Sequence, residues 1–220
     1  MKYLGNLPNP SSSLTCIPAP KAEKKLPKGP LFQEISAPGN YEIKNVKYGV
    51  EFIKTAANTF DWQERIKVEA LGEVSTHRAW ELRFEKGYSL YSVGVNGRYN
   101  KDMNRYEIKS YFNCIPEEFI MIRQEVHQII SDLKSGMISE ELFQKGMDRM
   151  FTLYDSEKRA GTRRILHQNL FYHYRYGQPY VDPEEVEKFV KSLTLEDIKE
   201  TAKKYYQDKN FYEFVLMNRG

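Results

Sequence analysis

The chain has 220 residues, 40% of them hydrophobic and 29% charged, with 16 tyrosines and 12 phenylalanines. That is enough apolar mass for a packed core, which argues against intrinsic disorder. Lysine plus arginine exceed aspartate plus glutamate by only three, 33 against 30; the signs are interspersed and no apolar run is long enough to span a bilayer, so charge and hydropathy point to no nucleic-acid or membrane partner.

Residues 1–30 are rich in Pro, Ser, Lys and Gly and lack sustained periodicity. They read as a linker that begins with the tail of a preceding domain, Tyr3-Leu4-Gly5-Asn6-Leu7-Pro8, where Gly5 and Pro8 stop a helix. Residues 31–220 read as one α+β domain. A short strand is expected within Leu31–Ile43, with Pro38-Gly39-Asn40 as a turn, and a second over Tyr48–Asn58. A helix follows from about Trp62 to Lys86, with Asp61 as N-cap and Glu64 completing a capping box. Its apolar positions are Ile66, Ala70, Leu71, Val74, Ala79 and Leu82. Glu73 and His77 interrupt them, which implies one wet or functional side.

Arg83 falls in the last turn of that helix and Gly87 just past it, the usual order for a helix end. From Tyr88 the pattern alternates, with Tyr91, Val93 and Val95 expected on one face. Tyr88–Asn96 and Arg105–Ile115 form the clearest hairpin, with a polar connection from Gly97 to Asn104. In its second strand Tyr106, Ile108, Phe112 and Cys114 share one face with Ser110, opposite Lys109 and Asn113. Pro116-Glu117-Glu118 starts a helix with the apolar stripe Phe119, Ile122, Val126, Ile129, Ile130 and Leu133, which Ser135-Gly136 ends. Ser139 caps the next helix, followed by one near Arg163–Tyr176, a short one after Asp182-Pro183, and one opened by Thr194. Phe211–Met217 reads as a closing strand. The order of elements is that of an α+β fold: helices packed on one face of a mostly antiparallel sheet.

The chemistry-bearing residues form no self-contained catalytic centre. His77, His127, His167 and His173 lie in no arrangement that places two imidazoles and a carboxylate on one helical face. There is no nucleophile elbow, P-loop or dinucleotide fingerprint. Cys114 reads as a small core residue, and Cys16 and Cys114 as free thiols rather than a disulfide, which leaves the compartment open. Acidic pairs such as Glu140/Glu141 sit where helix starts favour them. What remains is the junction around Arg83 and Tyr91.

Several segments resemble the C-terminal half of pitrilysin/insulinase-type zinc peptidases, the group that includes the mitochondrial processing peptidase. Leu82-Arg83, Gly87 and Tyr91-Ser92-Val93 resemble that family's helix-to-strand segment. Phe112-Asn113-Cys114-Ile115-Pro116-Glu117 resembles its strand end and helix start. Ile138-Ser139-Glu140-Glu141-Leu142 and Ser192-Leu193-Thr194-Leu195-Glu196-Asp197-Ile198 resemble two of its helix starts, and Tyr3-Leu4-Gly5-Asn6-Leu7-Pro8 is similar to the close of a preceding domain. Each motif is mostly capping and packing; their order and spacing carry the resemblance.

The resemblance implies a mitochondrial-processing-peptidase-like metallohydrolase domain without a metal of its own. It implies no cofactor in this chain, with zinc held by the N-terminal half or by a partner subunit, and a peptide as substrate. Arg83 would hydrogen-bond the bound peptide, and Tyr91 would stabilise the oxyanion formed at the scissile carbonyl. The family places its tyrosine seven residues after the arginine; here Tyr91 is eight after Arg83. A β-bulge could absorb the extra residue, or Tyr88 could take the role, or neither tyrosine does. On the plainer alternative, Arg83 complements the helix dipole and Tyr91 belongs to the core. Two other readings stay open: a non-catalytic subunit of a heteromeric peptidase, and a scaffold or binding module with no peptidase role.

Overall fold

Five strands make one mixed sheet in the order β1-β5-β2-β4-β3. They are β1 (Leu31–Ser36), β2 (Val46–Thr55), β3 (Leu90–Asn100), β4 (Arg105–Cys114) and β5 (Phe211–Met217). The computed structural model describes residues 27–36, 44–56, 60–159 and 162–217. The segment Tyr3–Pro8, Cys16, the turn at Pro38-Gly39-Asn40 and the expected strand end at Asn58 lie outside them. All pairings are antiparallel except β1 with β5.

Alternation sets the two faces of the sheet. Val46, Tyr48, Val50 and Phe52 of β2 pair in register with Cys114, Phe112, Ser110 and Ile108 of β4. Apart from the half-buried Ser110 these side chains are buried, together with Val215 of β5, under the helices. The opposite face carries Lys47, Glu51, Arg98, Glu107, Lys109 and Tyr111, a pattern expected of a sheet covered on one side.

Helix α1 (Trp62–Phe84) is the central helix. Asp61 caps it through Oδ1, which accepts from the amides of Gln63 and Glu64. Glu64 does not reach back to close a capping box; its carboxylate accepts from the Tyr205 hydroxyl at 2.6 Å and pairs with Lys204 at 2.5 Å. Tertiary partners thus outcompete the local cap. The helix lies between the sheet and α3 (Glu140–Arg159), so buried residues run round much of its circumference. Its weak apolar stripe reflects burial on two sides, not a wet one. Glu73 pairs with Arg149 of α3, and His77 packs edge-on against Trp80.

Two glycine contacts set how closely α1 approaches its neighbours. A Cβ on Gly97 would overlap the Val68 carbonyl, and one on Gly146 would meet Val74 at 2.8 Å or less. Gly97, expected in a turn, therefore sits inside β3, where only a hydrogen fits against α1. The hairpin turn is confined to Lys101–Asn104, with Asn104 at positive φ.

After β4, Pro116–Glu118 form a single 3-10 turn leading into α2 (Phe119–Ser135), which Gly136 ends in the left-handed conformation. The remaining helices are α4 (Thr162–Tyr176), α5 (Pro183–Ser192) and α6 (Leu195–Tyr205). Ser139 caps α3, Asp182 caps α5, and Thr194 forms a full capping box with Asp197 on α6. The packing, strand, helices and final strand are those expected of α+β, helices on one face. Among the described residues no helix is long and apolar enough to cross a membrane.

Candidate functional site at the end of the central helix

The last turn of α1 and the first residues of β3 are joined by a loop that is tied down at several points. The Lys86 amide donates to the Glu81 carbonyl at 3.0 Å and the Tyr88 amide to the Leu82 carbonyl at 3.0 Å, with Gly87 at φ +74° between them. This is a helix stop that favours glycine. The Ser89 amide donates to Glu118 at 2.7 Å, its hydroxyl reaches the same carboxylate at 3.2 Å, and Lys86 pairs with Glu125 of α2. A loop held in this way presents its side chains from a fixed backbone, the condition a binding site needs.

Arg83 is exposed on the last turn of α1. Among the described residues it makes no hydrogen bond or ion pair, only a contact of its guanidinium with the Phe84 ring, 5.6 Å from the centroid. Tyr91 is 61% exposed, and its hydroxyl has no partner among the described residues. Tyr88 is half-buried and packs against the core.

The extra residue between Gly87 and Tyr91 has a structural counterpart. Leu90 lies opposite Cys114 and Ser92 opposite Asn113, so Tyr91 is the residue left over in a β-bulge. The bulge changes the expected face: Leu90 and Val93, not Tyr91, share the helix side with Val95, and Tyr91 is turned out. Neither Arg83 nor Tyr91 is a core residue, and the plainer alternative for Tyr91 fails on its exposure.

Among the described residues no group of three or more His, Cys, Asp or Glu converges as metal ligands would. His77 lines a shallow hollow of about 310 Å³ with Lys145, Asp148, Arg149 and Thr152. Burial and the neighbouring Arg149 and Lys145 push its imidazole below its ordinary value. Cys114 is buried, and burial, with Glu118 nearby, pushes its thiol up to about 11. It is a core residue without nucleophilic character.

Two buried carboxylates were not singled out by the sequence. Glu213 of β5, 3% exposed, accepts from the Tyr48 hydroxyl at 2.7 Å, from Arg123 Nε and Nη2 at 2.8 Å each, and lies 2.9 Å from His127 Nε2. Burial alone would raise its pKa; the bonds from Arg123, His127 and Tyr48 outweigh that and hold it at about 2. Glu107 of β4, on the other face, is caged by Arg98, Asn100, Arg105 and Lys109. Burial again opposes and the bonds from Arg105, Arg98 and Asn100 again prevail, at about 2. These carboxylates are held by side chains of the chain itself, on both oxygens of each, so both read as fold keys. The only sequence signal for Glu213 was a charged residue at an inward position of the last strand.

No protein-family model matches the sequence, and no curated protein matches it either. Solved structures do. The fold superposes on a peptidase M16 inactive domain from Pseudomonas fluorescens with a TM-score of 0.67 and 12% identity, over 89% of this chain and 46% of that one. It superposes on the periplasmic protease PqqL from Escherichia coli with a TM-score of 0.65 and 16% identity, over 86% of this chain and 20% of that one. The ferredoxin protease FusC, solved as a point mutant in complex with Arabidopsis ferredoxin, gives 0.66 and 16%, over 88% and 21%. The chain therefore has the fold of M16-like peptidase domains. It spans about a fifth of the length of the two proteases and under half of the inactive-domain chain.

Proposed function

We propose that this chain is the metal-free, peptide-gripping domain of an M16-type zinc peptidase, inactive by itself. The zinc centre would lie in another half, within the same polypeptide or in a separate subunit. The single observation that carries this reading is the junction of α1 with β3. It offers a guanidinium on the last turn of α1 and a phenol in the bulge of β3, both exposed and both without polar partners among the described residues, at the two ends of a loop fixed by Glu118 and Glu125.

Arg83 brings a planar fork of donors that suits peptide carbonyls or a carboxylate. Tyr91 brings one O–H donor, which can stabilise negative charge as it develops on a peptide carbonyl oxygen. The zinc ion, when present elsewhere in the assembly, supplies the activation of water. This chain would orient the peptide and donate hydrogen bonds. The occurrence of the fold in a domain described as inactive and in two proteases supports the reading.

The test uses the chain together with the zinc-bearing half that carries it or co-purifies with it. Arg83→Ala should lower kcat/KM on a peptide substrate by about 10–100-fold, the loss of one or two charged hydrogen bonds, without changing the melting temperature. An unchanged kcat/KM for both Arg83→Ala and Tyr91→Phe removes the grip from this junction.

A further inference from the structure

At one end of the sheet the chain gathers positive charge that it does not balance. β2 and β5 make their last pair at Phe52 with Phe211. Two residues beyond it lie Lys54 on one segment and Lys209 on the other, the latter in the single 3-10 turn Asp208–Asn210. Alternation puts Lys54 on the helix side with Phe52. There it meets the end of α6. The Lys54 ammonium lies 5.2 Å from the centre of the buried Tyr205 ring, and the Lys204 ammonium 5.7 Å from the same centre.

The acids close by are already engaged. Glu64 of α1 accepts from the Tyr205 hydroxyl and pairs with Lys204. Asp61 caps α1, and its carbonyl accepts from Tyr106, the residue opposite Lys54 on β4. Lys54 and Lys209 make no ion pair among the described residues; Lys54 has only the Tyr205 ring. Three ammonium groups thus stand around one carboxylate, a local net charge of +2. Burial, and next the Lys204 charge, push the half-buried Lys54 amine below its ordinary value. Glu64 opposes the shift and Lys209 adds to it.

A lysine in this setting is poorly stabilised as an ammonium ion, and its free amine is the form that attacks a carbonyl. The unbalanced charge around it draws in anions. Both features favour an acyl donor that carries negative charge beside its reactive carbonyl. We propose that Lys54 is an acylation site for an acyl phosphate, whose phosphoryl group is drawn in by Lys204 and Lys209. In the step, the Lys54 Nζ lone pair attacks the acyl carbon and a C–N bond forms. The C–O bond to the phosphoryl group breaks, and inorganic phosphate leaves with its electron pair. The proton released from nitrogen passes to solvent, and nothing is oxidised or reduced. The product is a neutral amide, which lowers the local charge from +2 to +1.

The cluster lies at the opposite end of α1 from the junction. Glu64 and Arg83 are 19 residues apart on the helix, about 29 Å at its rise per residue. The inference therefore does not require the grip proposed above.

The experiment treats the folded full chain with acetyl phosphate at pH 8 and follows acetylation of each lysine by peptide mass spectrometry. Lys47, exposed on the helix-free face of the same strand, is the internal reference. Lys54 should react at least about fivefold faster than Lys47, and 8 M urea should abolish the preference. Lys204→Gln should slow Lys54 most, because it removes a neighbouring charge and frees Glu64 to pair with Lys54. Lys209→Gln should slow it less; Lys209 is exposed, so this variant keeps the fold and the test stands on it if Lys204→Gln does not fold. Added inorganic phosphate should reduce the preference, and neutral acetic anhydride should show a smaller one. Arg83→Ala should change none of these rates. Four results overturn the inference: Lys54 no faster than Lys47, a preference that survives in urea, rates that folded Lys204→Gln and Lys209→Gln leave unchanged, or an equal preference with acetic anhydride.

Discussion

The Glu213 cluster gives the sharpest quantitative test of how this fold is held. Glu213→Gln keeps the shape of the side chain and removes its charge. The carboxylate's pKa falls from an ordinary 4.5 to about 2 in the folded chain. At 1.36 kcal/mol per unit, this depression corresponds to roughly 3 kcal/mol of stability at neutral pH. The sign follows from the direction of the shift. A depressed carboxylate stabilises the fold above its unfolded pKa, and that stabilisation is lost as pH falls toward the folded value. Glutamine mimics the protonated acid, so the variant should lack this contribution at every pH. The difference between wild type and variant should therefore be about 3 kcal/mol at pH 7, and about half of that at pH 3. Glu107 titrates over the same window, but it is present in both proteins and cancels in the difference. Urea unfolding of both proteins at pH 7, 5, 4 and 3 measures it. A difference below about 1 kcal/mol at pH 7, or one that does not shrink on acidification, refutes the argument that the ion cluster, not packing, makes Glu213 matter.

Other expectations follow from single positions. Gly97→Ala should cost about 3 kcal/mol or more, because its Cβ overlaps the Val68 carbonyl and α1 must lift from β3; thermal unfolding within a degree of wild type would contradict this. Native Cys114 should react with a thiol reagent only at the rate of unfolding, since it is buried and its thiol is pushed up to about 11; fast labelling at pH 8 in the folded chain would show otherwise. The isolated chain should retain well under one zinc per molecule after dialysis, because its described His, Cys, Asp and Glu side chains do not converge; metal analysis giving one tightly held zinc counts against the division of labour proposed here.

How much of this was legible in the sequence depends on whether the determining contact was local. Helix starts were legible where the cap is a neighbour in sequence: Asp61, Ser139, Asp182 and Thr194 all cap as their residue types suggest. Glu64 broke the rule because Tyr205 and Lys204 sit 141 and 140 positions away and compete for the same carboxylate. The strand pattern of β4 was legible because one face is apolar at every position but Ser110. That of β3 was not, because its register slips at Tyr91 and a bulge leaves no signature in alternation beyond one residue out of phase. The ion cluster around Glu213 draws on β2, α2 and β5, so no window of sequence could display it.

The same distinction bears on the junction itself. A spacing of eight between Arg83 and Tyr91 looked like a defect when measured along the chain. In three dimensions the additional residue is the bulge, and the bulge is what turns Tyr91 outward while Leu90 and Val93 stay under the helices. Deleting one residue from Ser89-Leu90 should therefore do more than shorten a loop. With the bulge gone, alternation alone decides which way Tyr91 faces, and the tether from Ser89 to Glu118 must be remade. If the grip depends on the phenol, such a deletion should lower peptide turnover to the level of Tyr91→Phe while preserving the fold. Turnover at the wild-type level would mean that Arg83 acts alone.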